Sequence, residues 1–228
     1  MIDLPWLDFQ NPVFPPTVNA LDEPSGLLAA GGNLHPETLV EAYYRGIFPW
    51  YSDGEPPLWW SPNPRAVLEP GDLIINRTTG KLLKKTNFHF TSDQCFWQVI
   101  NACAQARPGE TWITEEMLEA YDRLHNAGHA HSLEVWEKDT LVGGLYGVQI
   151  GAIFCGESMF HLRQNASKLA FVCLSNNLFA LGFGMIDCQL QNPFLQSLGV
   201  KEKSRDQFER RMKELRDKPL PWPAKWSL

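Results

Sequence analysis

Apolar positions along the chain recur with two different periods, and the switches between them mark its elements. Phe96, Val99, Ile100 and Cys103 fall on one side of a helix, with Ser92 ahead of it as a candidate cap. Thr114 caps a second helix, which carries Glu115 and Glu116 in its first turn and stops at Gly128. Asn165 is the expected cap of a third, "ASKLAFVCLSNNLFALG", whose Leu169, Val172, Cys173 and Leu178 make a buried face. Nearer the start, Pro36, Glu37 and Gly46 bracket a helix with Leu39, Tyr43 and Tyr44 on one side. The stretch "SRDQFERRMKELRDK" predicts a charged surface helix.

The other period is two. "NFHFTS" alternates, "RAVLEPGDL" is strand-like, and "FGMIDCQL" gives a strand near the end. "HSLEVWEKDTLVGGLYGVQIGAIFCGESM" divides into three β-rich runs at Lys138-Asp139 and at Gly151, the signature of an antiparallel meander. Meander, helix, strand in that order predicts an α/β (α+β) fold, a mixed sheet with helices against it. The first segment lacks this regularity. "IFPWYSDGEPPLWWSPNPR" is dense in Pro and Trp and must be pinned by ring packing, because Pro removes backbone donors. A boundary near residues 62–65 therefore separates a small N-terminal domain, 1–62, from a larger domain, 63–228.

Composition narrows the class. With 228 residues, 44% of them hydrophobic, the chain can bury a substantial core. It has no run of 18 apolar residues, so no membrane span is expected. The opening "MIDLPWLDFQNP" is acidic and lacks the features of a secretory signal. Five cysteines without a C-x-x-C pair read as reduced thiols of a cytoplasmic protein. Nothing demands more than a monomer. A net charge of −6 argues against generic nucleic-acid binding. Charge is nevertheless uneven: Arg77, Lys81, Lys84 and Lys85 stand in a stretch without acidic residues. In a helix the three lysines share a face, which is either simply solvated or a phosphate contact.

Few motifs carry chemistry. His125, His129 and His131 are separated by the Gly128 stop and read better as a helix end than as metal ligands. "VGGLYGVQIG" matches neither phosphate-loop pattern, and no G-x-S-x-G elbow occurs. Glu157 is the one carboxylate in "GAIFCGESMF". It is either a solvent-facing strand end or a carboxylate holding a cationic group at the mouth of an apolar pocket. Asp187 and Gln189, two apart on a strand, are expected on one face with Ile186 and Cys188 opposite. They form either a structural polar network or a fixed pair able to orient an amine or an oxyanion.

Several longer strings occur in order between about residues 14 and 200: "GLLAAGGNL", "AYYRGIFPWYS", "LWWSPNPRAVL", "TWIT", "HAHSLEVW", "LVGGLYGV", "FCGESMF", "NASK" and "IDCQ…SLG". Together they resemble the bacterial leucyl/phenylalanyl-tRNA–protein transferase family. The resemblance implies an enzyme that moves Leu or Phe from aminoacyl-tRNA onto proteins beginning with Lys or Arg, marking them for N-end-rule degradation. It also implies a small N-terminal domain, a second domain similar to GNAT acyltransferases, and no metal or organic cofactor. Carried over by position, Asp187 and Gln189 match the pair that orients the incoming amine, and Glu157 the carboxylate beside the aminoacyl pocket. Leu145, Phe154, Met159, Leu174 and Ile186 match the pocket itself. Trp50 and Trp112 match aromatics near the terminal adenosine, and Arg77, Lys81, Lys84 and Lys85 a basic patch for the acceptor stem. Phe194 stands where the family often has His, and Leu145 and Leu174 where Met or Phe occur.

Two other readings compete. An acyl-CoA-dependent enzyme needs a glycine-containing pyrophosphate loop, and "HLRQNASKLA" has no glycine there. An RNA-binding adaptor would use the lysines and tryptophans but leaves Glu157, Asp187 and Gln189 without a purpose.

Overall fold

The computed structural model describes residues 4–106 and 111–227. The first three residues of the acidic opening and the last residue of the chain lie outside it. The elements run β1 (Trp6–Leu7), β2 (Leu27–Gly31), α1 (Pro36–Tyr44), β3 (Phe48–Pro49), β4 (Leu58–Trp60) and β5 (Arg65–Leu68). There follow α2 (Arg77–Lys85), β6 (Phe88–Ser92), α3 (Phe96–Gln105), α4 (Glu115–Asn126), β7 (Ala130–Glu137), β8 (Thr140–Ile150) and β9 (Ile153–His161). The chain ends with α5 (Ala166–Ala180), β10 (Met185–Gln189), α6 (Pro193–Ser197), β11 (Lys201–Lys203) and α7 (Arg205–Leu215).

Strands β1–β4 make a four-stranded sheet in the order β1-β2-β4-β3. The other seven form a mixed sheet in the order β11-β5-β10-β9-β8-β7-β6. Its centre is the expected meander β7-β8-β9, antiparallel throughout, turning at Lys138 (φ 54°) and Gly151 (φ 56°). β10 then runs parallel to β9 and antiparallel to β5. This is the α/β class the hydrophobic pattern predicted.

Alternation along the strands sorts side chains to two faces. Tyr146, Ile153, Cys155 and Val67 join α1, α3 and α4 in one buried cluster. Leu145, Phe154, Ala66 and Leu68 join α5 in the other. Thr114 caps α4 by accepting from the Met117 N–H, and Gly128 ends that helix at φ 82°. No described helix is long and apolar enough to cross a membrane.

Three local expectations differ. Ser92 is the last residue of β6 and its hydroxyl donates to Pro223, so it does not cap α3, whose N-cap position is Cys95. Asn165 does stand before α5, but in the left-handed region (φ 68°) and with no side-chain cap bond. The charged helix α7 buries Phe208, Met212 and Leu215 at one-turn spacing, so it is surface on one side only. The basic segment does form a helix, α2, which Asn76 caps by accepting from the Thr79 N–H.

Candidate active site

The parallel register of β9 and β10 ends at Asp187 opposite Cys155, while β9 continues to His161. Where the strands part lies a cavity of about 1070 Å³. Its walls come from β9 (Gly156 to His161), from Ile186 and Cys188–Leu190, from α3 and from α5. All five side chains expected in an aminoacyl pocket, Leu145, Phe154, Met159, Leu174 and Ile186, line it, and so does Phe194. Behind it β8 and β9 approach closely: a Cβ on Gly147 would sit 2.2 Å from the Cys155 carbonyl oxygen, and the β8–β9 register shifts there so that Glu157 is left without a partner across β8.

Two polar groups that the sequence singled out meet in this apolar wall. The Gln189 side-chain amide donates to Oε1 of Glu157 at 2.6 Å, and the Tyr121 hydroxyl donates to Oε2 at 3.2 Å. Tyr43 of α1 hydrogen-bonds the Tyr121 hydroxyl and also reaches Glu157. Burial pushes the Glu157 carboxyl up to about 7, against the opposing pull of its hydrogen bonds from Tyr43, Tyr121 and Gln189, and the nearby Asp187 charge adds to the rise. Glu157 is therefore not a solvent-facing strand end. It is a partly buried carboxylate held by two donors, Gln189 and Tyr121, with Tyr43 behind Tyr121, at the edge of an apolar cavity.

Asp187 departs from expectation. It does not share a face with Gln189, because the strand bulges between them and Gln189 takes a positive φ of 61°. The bulge turns Gln189 to the cavity, where Ile186 and Cys188 also face, and leaves Asp187 behind the wall at 1% exposure. There Asp187 meets Arg65 in a bidentate pair, Oδ1 to Nε at 2.9 Å and Oδ2 to Nη2 at 2.7 Å. Oδ1 also accepts the backbone N–H of Gln189 at 3.0 Å.

The remaining expected residues lie elsewhere. Trp50 and Trp112 are not among the described residues lining the cavity. Trp50 is 41% exposed and packs against Trp60. Its neighbour Tyr51 donates to Glu116 at the start of α4, just after Trp112. Arg77, Lys81, Lys84 and Lys85 are all exposed on α2, away from the cavity lining. The histidine cluster does have a carboxylate nearby: Asp93 bonds Nδ1 of His131 at 2.7 Å, with His125 at 3.9 Å.

Sequence reading missed Tyr43, Tyr121 and Arg65. Two signals were available. A tyrosine on a buried helical stripe needs a partner for its hydroxyl, and an arginine opening the apolar run "RAVL" needs an anion if it is buried.

A family model described as leucyl/phenylalanyl-tRNA protein transferase matches residues 67–213. The chain belongs to that family. A second model, for the N-terminal domain of leucyl/phenylalanyl-tRNA protein transferases, matches residues 32–63. A leucyl/phenylalanyl-tRNA–protein transferase from Shewanella piezotolerans is 52% identical over 219 residues, covering 95% of this chain and 93% of that one. The corresponding protein of Shewanella baltica strain OS195 is 49% identical over 229 residues, covering 100% and 96%. Among solved structures, a GCN5-related N-acetyltransferase from Kribbella flavida matches with a TM-score of 0.42 at 14% identity, over 76% of this chain and 62% of that one. L-PGS from Bacillus licheniformis matches with a TM-score of 0.41 at 9% identity, over 72% and 53%.

Proposed function

We propose that the protein transfers Leu or Phe, and Met less well, from aminoacyl-tRNA to the N-terminal Lys or Arg of acceptor proteins, marking them for N-end-rule degradation. Family membership supports aminoacyl transfer from tRNA to a protein. The observation that carries the residue-level reading is the Glu157–Gln189 hydrogen bond at the wall of the apolar cavity.

The aminoacyl ester arrives activated, so the protein need not supply a covalent nucleophile or a cofactor. The acceptor's α-amine attacks the ester carbonyl, the new C–N bond forms, and the ribose oxygen leaves with a proton. Gln189 orients the reacting groups. Glu157, ionised, holds the cationic acceptor and takes up its proton, and Asp187 acts from behind through Gln189. An α-amine titrates near ~7.7–8.0, so part of it is already neutral at physiological pH. The apolar wall of Leu145, Phe154, Met159, Leu174 and Ile186 takes the side chain of the transferred residue. Such a wall discriminates by roughly 1–3 kcal/mol per methylene, which suits a Leu/Phe enzyme with weak Met activity. β-Branched Ile and Val are refused by shape.

We further place the terminal adenosine against Trp50 and Trp112, and the acceptor stem on Arg77, Lys81, Lys84 and Lys85 of α2. The exposure of Trp50 and of the α2 basic residues supports this. The chain works as a cytoplasmic monomer with a domain division at residues 62/63, supported by the separation of its two sheets. The test is transfer of radiolabelled Leu from charged tRNA, without CoA compounds, to a protein beginning with Arg and to the same protein beginning with Ala. Label on the Arg substrate alone is the expected result. Equal labelling, or none, contradicts the reading.

A further inference from the structure

The cavity wall leaves one buried device unexplained. Arg65 is 1% exposed, although nothing in the proposed chemistry calls for a guanidinium there. Each of its three nitrogens nonetheless has a partner. Nε and Nη2 meet Asp187, and Nη1 donates to the Gly46 carbonyl oxygen at 3.1 Å, just beyond the end of α1. The rings of Phe48 and Phe208 each lie 4.8 Å from the guanidinium carbon. This fixes the side chain from four elements: the end of α1, β3, β10 and α7.

Stability alone does not account for such a pair, since apolar replacements of buried ion pairs are often neutral or stabilising. Geometry offers a better account. Asp187 Oδ1 is shared between Arg65 Nε and the N–H of Gln189, and Gln189 sits in the left-handed region that L residues avoid. From that turn its side chain reaches Glu157. We propose that Arg65 is a positioning residue of the transfer site: it clamps Asp187, and Asp187 fixes the backbone turn that aims Gln189 at Glu157. This inference rests on the roles given above to Glu157 and Gln189.

The clamp also sets the charge that Glu157 feels. Around Glu157 stand Tyr43 from α1, Tyr121 from α4, Tyr146 from β8 with Cys103 of α3 beside it, Cys155 from β9, Asp187 and Gln189 from β10, and Arg65 from β5. Of these Asp187 and Arg65 form an ion pair with each other. Asp187 raises the Glu157 carboxyl, and the Arg65 cation offsets it.

The experiment measures kcat and KM for charged tRNA from about pH 5.5 to 8.5, the range bracketing an acid limb from Glu157. It uses the wild-type chain, Arg65→Gln, Asp187→Asn, the double variant Arg65→Gln/Asp187→Asn, and Gln189→Ala. Arg65→Gln is expected to lower kcat about tenfold or more, with KM changed less than about threefold. Its acid limb moves to higher pH by about half a unit or more, because Asp187 is left unbalanced. Asp187→Asn moves the limb to lower pH, and in the double variant it returns to the wild-type position. The loss in kcat with KM kept reads the positioning of Gln189, and the opposed, cancelling shifts read the charge pair beside Glu157.

If Arg65→Gln alone does not fold, the downward shift in Asp187→Asn and the restored limb in the double variant decide the matter. Wild-type kcat and an unmoved limb in Arg65→Gln, or a limb in the double variant that stays displaced, overturns the proposal. Those outcomes are distinct from failure of the underlying reading, which would show as no transfer by the wild type or as full activity in Gln189→Ala.

Discussion

Gln189 and Glu157, 32 residues apart in the chain, are joined by a 2.6 Å hydrogen bond that follows the bulge of β10 between Asp187 and Gln189. Without the bulge, strand alternation would turn Gln189 toward the side of Asp187, away from the cavity. The bond places an amide and a carboxylate at the wall of an otherwise apolar space. Positioned groups in such surroundings act far more strongly than in water.

Glu157 should titrate near pH 7, and this has a signed consequence. Its folded value lies above the ordinary carboxylate range, so the native state holds the proton more tightly than the unfolded chain. Stability from this group is full at acid pH and is lost as pH rises through about 7. On the role proposed for the Glu157 carboxylate, transfer should run the opposite way and fall below that pH. Glu157→Gln should therefore melt higher than wild type at pH 8, by on the order of 2 kcal/mol, and show little gain at pH 5. Thermal melts at the two pH values, with transfer assayed alongside, check both signs.

The transferred residue should be selectable through Leu174, which is buried in α5 and lines the cavity. Leu174→Phe fills part of the space where a ring would lie. It should lower kcat/KM for Phe relative to Leu by about tenfold, roughly the value of one or two methylenes. A competition assay with both charged tRNAs reads the ratio directly, and an unchanged ratio would place the side-chain site elsewhere.

The α2 lysines give a salt test. Changing Lys84 and Lys85 together to Ala should weaken tRNA binding and reduce the slope of log K against log salt by roughly 1.5, as for two lost phosphate contacts. Both residues are exposed at the end of α2, so folding should be unaffected. Filter binding over a salt series measures it. An unaltered slope would leave these lysines as a solvated face.

Much of this framework was legible in the sequence, and the limits have physical causes. The β7-β8-β9 meander could be read because Lys138 and Gly151 punctuate it locally between β-rich runs. The pocket's apolar side chains could be placed by resemblance, and the cavity does gather all five. Local signals said nothing of the bulge, since a positive φ at a glutamine has no composition cue. Nor could they pair Arg65 with Asp187, 122 positions away, or bring Tyr43 against Tyr121 across 78 positions. Ser92 looked like a cap because caps are recognised by residue type, yet β6 extends through it to pair with Leu133.

The most direct measurement is single-turnover transfer of Leu from charged tRNA to an Arg-beginning acceptor by wild type and by Gln189→Ala, with tRNA binding measured on both. The account predicts a rate loss of about 10²-fold with tRNA affinity unchanged, because an interaction at the reacting centre is removed and the tRNA contacts lie elsewhere. A Gln189→Ala protein that binds tRNA and transfers Leu at the wild-type rate would contradict it.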